Sequence, residues 1–230
     1  MKIQKLYPSR EIKKLLQLTD CELMHMRISG GIEYEKRGSA YFYRLSDKKH
    51  LLNHPLADKL INWHQEVHKV DIENTPSGNE SETLICDLLQ QLLIPIQDEF
   101  GYINITYGFT SATLNRYIQK NSPSGTCPAL DQHSAFEKNQ NDNPICARGG
   151  LACDFTVEGF EDKMHIVTRY IVGNLNFDKL YYYASDRPIH LSISAAAERH
   201  LQIMNLSKNG RRIPGKKAYG AGAKLLAEEL

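Results

Sequence analysis

Residues 149–158, GGLACDFTVE, set two glycines ahead of an apolar run in which the only charge before Glu158 is Asp154. Leu151, Cys153, Phe155 and Val157 alternate with Ala152, Asp154 and Thr156, so the stretch reads as a strand with one face turned to a core. That alternation sends the Asp154 carboxylate to the face opposite Cys153 and Phe155. The glycines let the chain turn sharply into the strand. A second stretch repeats the pattern: in RPIHLSIS, residues 187–194, His190 sits between Ile189 and Leu191.

Around these strands the chain alternates helix and strand signals. ETLICDLLQQLLIPIQDEFG carries leucines at buried-helix spacing and stops at Gly101. YINITYGF reads as a strand, SATLNRYIQK as a helix, EDKMHIVTRYIVGN as a helix and FDKLYYYA as a strand. Between residues 121 and 150 lies a region rich in Asn, Pro, Ser and Gly with little apolar periodicity, and a loop of that length points to function. The expected class is α+β, a small antiparallel sheet flanked by helices, preceded by an N-terminal extension. The polar segment TPSGNES, Thr75–Ser81, marks the best internal boundary. It gives an extension over 1–75, with a hairpin in GGIEYEKRGSAYFYRL and a helix in HPLADKLINWHQEVHKV, then a main domain over 76–205. The rest, 206–230, reads as a basic, Gly-rich tail with a short terminal helix.

Composition excludes some classes and leaves others open. With 28 basic and 27 acidic residues among 230, the formal net charge of +1 gives no global field for nucleic acid or anionic membranes. No stretch reaches the ~18 apolar residues of a membrane span, and MKIQKLYPSREIKKLLQLTD lacks the core of a signal peptide. A cytoplasmic location is expected. Five cysteines without C-x-x-C spacing fit reduced thiols, although Cys127 and Cys146 flank one loop and can pair under oxidation. Lys208, Arg211, Arg212, Lys216 and Lys217 form a local basic run that offers a nucleic-acid arm or a solvated tail. His64 and His68 share a helix face, but no third ligand accompanies them. Tyr181, Tyr182 and Tyr183 read as a half-buried strand with one face toward any site there.

Three ligand-type residues stand at isolated positions: His133, Asp154 and His190. Two imidazoles and a carboxylate suit a catalytic zinc with its fourth position left to water. The same residues also serve as hydrogen-bonded structural groups, and their spacing forms no short local motif.

Three blocks resemble the M15 peptidases, the D-Ala-D-Ala carboxypeptidase and hedgehog-type zinc fold, particularly its short phage and bacterial members. LLQQLLIPIQDEFGYINITYGFTSATLN is similar to the family's helix, strand and SGYRS segment. DQH with GGLACDF is similar to its SQH and G.A.D pair, and FDKLYYYASDRPIHLSIS to its closing strands. The resemblance covers about residues 82–195. It implies zinc held by His133, Asp154 and His190, and a hydrolase that cuts a peptide or amide bond, peptidoglycan-type substrates first. A catalytically altered binding module, or a hydrolase of a non-peptidoglycan or nucleic-acid-linked substrate, are the alternatives.

Three departures accompany the match. His133 precedes Asp154 by 21 residues, where the family keeps the two close, so Ser134–Arg148 is expected to cover the site as a specificity lid. Thr110, beside Ser111 in the expected substrate-binding segment, stands where the family carries an Arg, and Thr lacks a charged fork. Arg148 is the candidate replacement. Arg187 occupies a position where the family has its general base, which leaves Asp186 as base or Tyr183 as hydrogen-bond donor to a developing oxyanion.

Overall fold

Backbone chemistry sets where the predicted helices begin and end. Pro55 supplies the first turn of one helix, the His54 ring accepts from the Leu56 N–H at 3.2 Å, and Lys69 closes it in the left-handed region. Gly101, at φ +99°, stops the long apolar helix as expected. These features come from a computed structural model describing residues 6–16, 18–28, 32–44, 48–121 and 132–230. It divides the chain into two units, Met1–Lys48 and Lys49–Leu230.

The first unit comprises β1 (Leu6–Pro8), α1 (Ser9–Leu16), α2 (Asp20–Ile28), β2 (Glu33–Arg37) and β3 (Ala40–Arg44). The expected hairpin is β2–β3, and β1 adds to the other edge of β3 to make a three-stranded antiparallel sheet. Ile12, Leu23, Ile32 and Tyr43 form its small core. The Arg27 guanidinium lies 3.8 Å over the Tyr41 ring, a cation–π contact.

The second unit runs α3 (Pro55–His68), α4 (Asn79–Leu88), a π-helical turn at Leu89–Leu93, α5 (Ile94–Phe100), β4 (Ile103–Tyr107), α6 (Ala112–Asn121), β5 (Leu151–Val157), α7 (Met164–Asn174), β6 (Lys179–Tyr182), β7 (Ile189–Ile193), β8 (His200–Leu206), β9 (Arg212–Tyr219) and α8 (Gly220–Glu228). Its six strands are ordered β4-β5-β7-β6-β8-β9. Leu151, Cys153, Phe155, Val157, Ile189, Leu191 and Ile193 enter one core with α3, α4, α5 and α7. Asp154 and His190 alternate onto the other face, as period-2 geometry requires.

The mixed α and β class is as expected; three details differ. The boundary falls at Lys48 rather than Thr75, because Leu56, Ala57 and Leu60 of α3 are buried in the same core as Leu84–Leu93 and cannot be separated from it. The main sheet is mixed rather than wholly antiparallel, since β6 pairs β8 in parallel from Lys179↔His200 to Tyr182↔Ile203. The stretch expected as a tail forms most of the β8–β9 hairpin and α8. β9 is an edge strand, and Lys216 and Lys217 on it are the charges that edges carry against further pairing. That role hid the strand, because its basic residues mask any apolar alternation. Lys216 reaches Glu229 at 2.5 Å.

Among the described residues no helix is long and apolar enough to cross a membrane. Cys21, Cys86, Cys146 and Cys153 take part in no disulfide. Cys127, and with it the suggested pairing to Cys146, lies outside the described residues.

Candidate metal centre

Asp154 of β5 lies directly opposite His190 of β7. Its Oδ1 is 2.7 Å from His190 Nδ1 and 3.4 Å from His133 Nε2. One ligand atom from each of the three falls within 4.8 Å of the others. Tetrahedral zinc with bonds of ~2.0–2.1 Å brings such atoms to about 3.3 Å from one another, so the cluster is nearly of ligating size. Both imidazoles are buried, while the Asp154 side chain keeps 28% exposure and opens the cluster to one side.

The donor set fits a divalent ion in chemistry as well as in distance. His133 Nδ1–H donates to the Gly108 carbonyl at 3.2 Å, which orients the ring with Nε2 turned toward Asp154. Burial raises the Asp154 carboxyl, but the His190 and His133 imidazoles outweigh that effect and hold it well below the usual carboxylate range. It is therefore anionic at neutral pH. Behind it, burial and the Asp154 charge push the Cys153 thiol up, so this cysteine is an inert core group.

His133 is held by its neighbours' backbone. The Thr110 N–H donates to the His133 carbonyl at 3.0 Å, and the Ala152 N–H to the Gln132 carbonyl at 3.1 Å. Gln132 Nε2 donates in turn to the Gly149 carbonyl. Gly150 has φ +90°, and a Cβ there would lie 2.7 Å from Gln132 Nε2 and 2.8 Å from Ser194 Cβ. The GG that opens β5 is thus required by a close approach beside His133.

Tyrosines flank both imidazoles. Tyr107 of β4 faces Asp154 across the sheet and meets the His133 ring edge-on at 4.6 Å. Tyr181 of β6 faces His190 and stacks on its ring at 4.9 Å. Arg148 Nη1 donates to the Tyr181 hydroxyl at 3.4 Å, which brings this loop residue beside the His190 side of the cluster. A cleft of about 530 Å³ opens over Asp154, lined among others by Tyr107, Tyr183, Arg187, Pro188 and Arg212.

Other expected site residues have different positions. Thr110 is fully buried and shares a 2.7 Å hydrogen bond with Ser134; it braces the His133 backbone and does not line the cleft. Ser111 caps α6, accepting from the Leu114 N–H at 3.2 Å, while its own N–H donates to Asn74. Asp186 sits in an exposed turn and is absent from the cleft lining. Tyr183 lines the cleft.

The expected lid is in part internal scaffold. Ser134, Ala135 and Glu137 are buried, and no described residue from 134 to 148 lines the cleft. Glu137, which sequence reasoning passed over, accepts from the Ser77 N–H (3.0 Å), the Ser81 hydroxyl (2.8 Å) and the Ala112 N–H (3.3 Å). One carboxylate thereby ties the His133 loop to the N-terminal ends of α4 and α6, where helix dipoles favour a negative charge. Its signal, an acid in a polar loop, is indistinguishable in sequence from a solvated residue. Tyr107 and Tyr181 were findable from strand register; Arg212 carried only a tail-like context.

No protein-family pattern, no curated protein and no solved structure matches this chain.

Proposed function

We propose that Lys49–Leu230 is a metal-dependent hydrolase, similar in its ligand set to the M15 peptidases. In this reading His133, Asp154 and His190 hold zinc, and the scissile bond is a peptide or amide bond, with peptidoglycan-type peptides the first class of substrate. The observation that carries it is the convergence of these three residues, from three separate segments, to ligand atoms within 4.8 Å of one another beneath an open cleft.

A divalent ion held there supplies a Lewis acid for the substrate carbonyl and lowers the pKa of water. The chain's own groups do the rest. The Gly108 carbonyl orients His133, and the tyrosines against the two imidazoles restrict their rings. Tyr183 stands on the cleft wall as the group able to hold a proton or donate a hydrogen bond near the reacting bond. Arg148, beside Tyr181, is a second polar group on the His190 side.

One observation favours a second reading, a binding module that keeps the ion but does not turn substrate over. Asp154 is the only carboxylate lining the cleft among the described residues, and as a ligand it is not spare to act as base. Zinc content and turnover measured together separate the two. The hydrolase reading expects near-stoichiometric zinc and cleavage of muropeptides or short acylated peptides, both lost in Asp154→Asn. Zinc retained with no cleavage across that panel supports the binding module, and failure to take up zinc contradicts both.

A further inference from the structure

The first unit, Met1–Lys48, supplies none of the three clustered residues and follows an order of its own. α1 ends at Leu16 and α2 begins at Asp20, with three residues between them. Leu18 packs on the small core there, and its N–H donates to the Lys13 carbonyl at 2.9 Å, closing α1. Thr19 and Glu22 then form a capping box: the Glu22 carboxylate accepts from the Thr19 N–H at 2.7 Å, and the Thr19 hydroxyl from the Glu22 N–H at 3.3 Å. One helix thus passes into the next as a helix-turn-helix. The β2–β3 hairpin follows, its register closing at Arg37↔Ala40 around Gly38, φ +61°, and Ser39.

The two helices are used differently. α1 lies against β1 and β3 and buries Ile12, whereas α2 has Leu23 as its one buried side chain. Cys21, Met24, His25 and Ile28, at i, i+3, i+4 and i+7, leave an exposed stripe along α2. The two acids of its first turn are engaged, Asp20 by Lys13 at 2.6 Å and Glu22 by Thr19. Tyr41 of β3 holds the Arg27 guanidinium 3.8 Å over its ring and the Lys36 ammonium at 5.6 Å, which braces α2 against the hairpin. Lys36 and Arg37, both exposed, end β2 at the hairpin tip. Charge is divided in the same sense. Residues 1–48 hold 10 Lys and Arg against 6 Asp and Glu, net +4, and residues 49–230 hold 18 against 21, net −3. The whole-chain value of +1 conceals that asymmetry, which favours a polyanion at the first unit alone.

We infer that Met1–Lys48 binds double-stranded DNA, with α2 in the major groove and the tip of the β2–β3 hairpin on the phosphate backbone. A helix of nine residues is ~13 Å long and ~10–12 Å across, and the major groove, about 12 Å wide, admits it. Cys21, Met24, His25 and Ile28 then face the base edges, where His25 hydrogen-bonds and Met24 and Ile28 meet thymine methyl groups. Lys36 and Arg37 neutralise phosphates and set the register without reading sequence. The unit acts independently of the metal centre.

Fluorescence anisotropy of the full chain with a labelled DNA duplex of random sequence, a single strand of equal length and a double-stranded RNA tests the unit. The duplex is expected to bind at micromolar concentration in about 50 mM salt and roughly 40-fold more weakly in about 200 mM, as counterions are released from about three phosphates. Lys36→Gln with Arg37→Gln, both outside the small core, should weaken binding at least about tenfold and lower the salt slope by about two. Selection from random duplexes should enrich one sequence, and Met24→Ala with His25→Ala should abolish that enrichment while random-duplex affinity stays within about threefold. No duplex binding at low salt, an affinity indifferent to salt, or a single strand or RNA bound as tightly as the duplex overturns the inference. So does an affinity unchanged in the Lys36 and Arg37 variant, the absence of any enriched sequence, or enrichment unchanged in the Met24 and His25 variant. Sedimentation of the same samples covers the other occupant of the stripe: self-association lost in Met24→Ser, with no duplex bound, makes it an interface between copies and equally overturns DNA binding.

Discussion

The floor of the cleft and its far wall encode their roles in different ways. The floor, β5 with β7, carries Asp154 and His190 at positions where alternation leaves no apolar explanation for them, and the register sets the pair face to face. The wall, β8 with β9, carries Arg212 in a run of basic residues that reads as solvated chain until the strands pair. A ligand-type residue out of place on a buried strand announces itself. A cleft-lining arginine on an edge hairpin looks like the other charges that edges need.

The largest expected effect breaks the comparison at its floor. His190→Ala should weaken zinc binding by more than about 100-fold, since even partners that only orient a ligand are worth 10–100-fold. Arg212→Gln should leave zinc affinity within about threefold. Equal losses in the two variants would mean that floor and wall are not separate in function.

The geometry behind the ligands gives the next two expectations. Gly150→Ala should lower unfolding stability by about 3 kcal/mol in chemical denaturation, because φ +90° and the contacts to Gln132 and Ser194 leave no room for a methyl group. His64, packed among Trp63, His68 and Tyr107 on the floor side, has its imidazole pushed down to about 4, mainly by burial. A folded value below the ordinary one means the unfolded chain binds the extra proton first. His64 therefore contributes its full stability above pH ~6.5 and loses it as pH falls toward 4, by about 3 kcal/mol. Urea titrations of the metal-free protein across that range should show the loss, and His64→Phe should flatten it; an unchanged slope would remove His64 as its source.

Glu137→Gln comes next, with a cost of about 2 kcal/mol from weakened charge-assisted bonds at two helix ends. Hydrogen exchange should rise at Ser77 and Ala112, the amides it binds. Smallest is Asp186→Asn, which should change stability by less than about 0.5 kcal/mol and turnover by less than about twofold, as expected of an exposed turn outside the cleft. A large loss of turnover there would make Asp186 the base after all.

The contrast also explains how far the sequence could be read. The central elements were legible because their apolar periods are clean: the leucines up to Gly101, the alternation in β5 and β7, and α7. Two members of the clustered trio were legible because Asp154 and His190 interrupt those patterns, whereas His133 lies in a loop with no apolar period to interrupt. The domain boundary was not, because TPSGNES looks like a linker although the Ser77 N–H and the buried Ser81 hydroxyl both donate to Glu137. Thr110 and Ser111 were given substrate contacts because a hydroxyl beside a site looks the same in sequence whether it faces outward or holds a loop in place. Asn74, which donates to the Ile61 and Phe109 carbonyls and accepts from the Ser111 N–H, shows how much of that bracing is long-range and invisible to local pattern.

Titration of zinc into the metal-free chain, with Asp154→Asn and His190→Ala beside it and circular dichroism to verify folding, decides whether the three residues hold an ion. About one tightly bound ion per wild-type chain is expected, and its loss in both folded variants. A wild-type chain that binds no zinc, or variants that bind it as well as the wild type, would contradict it.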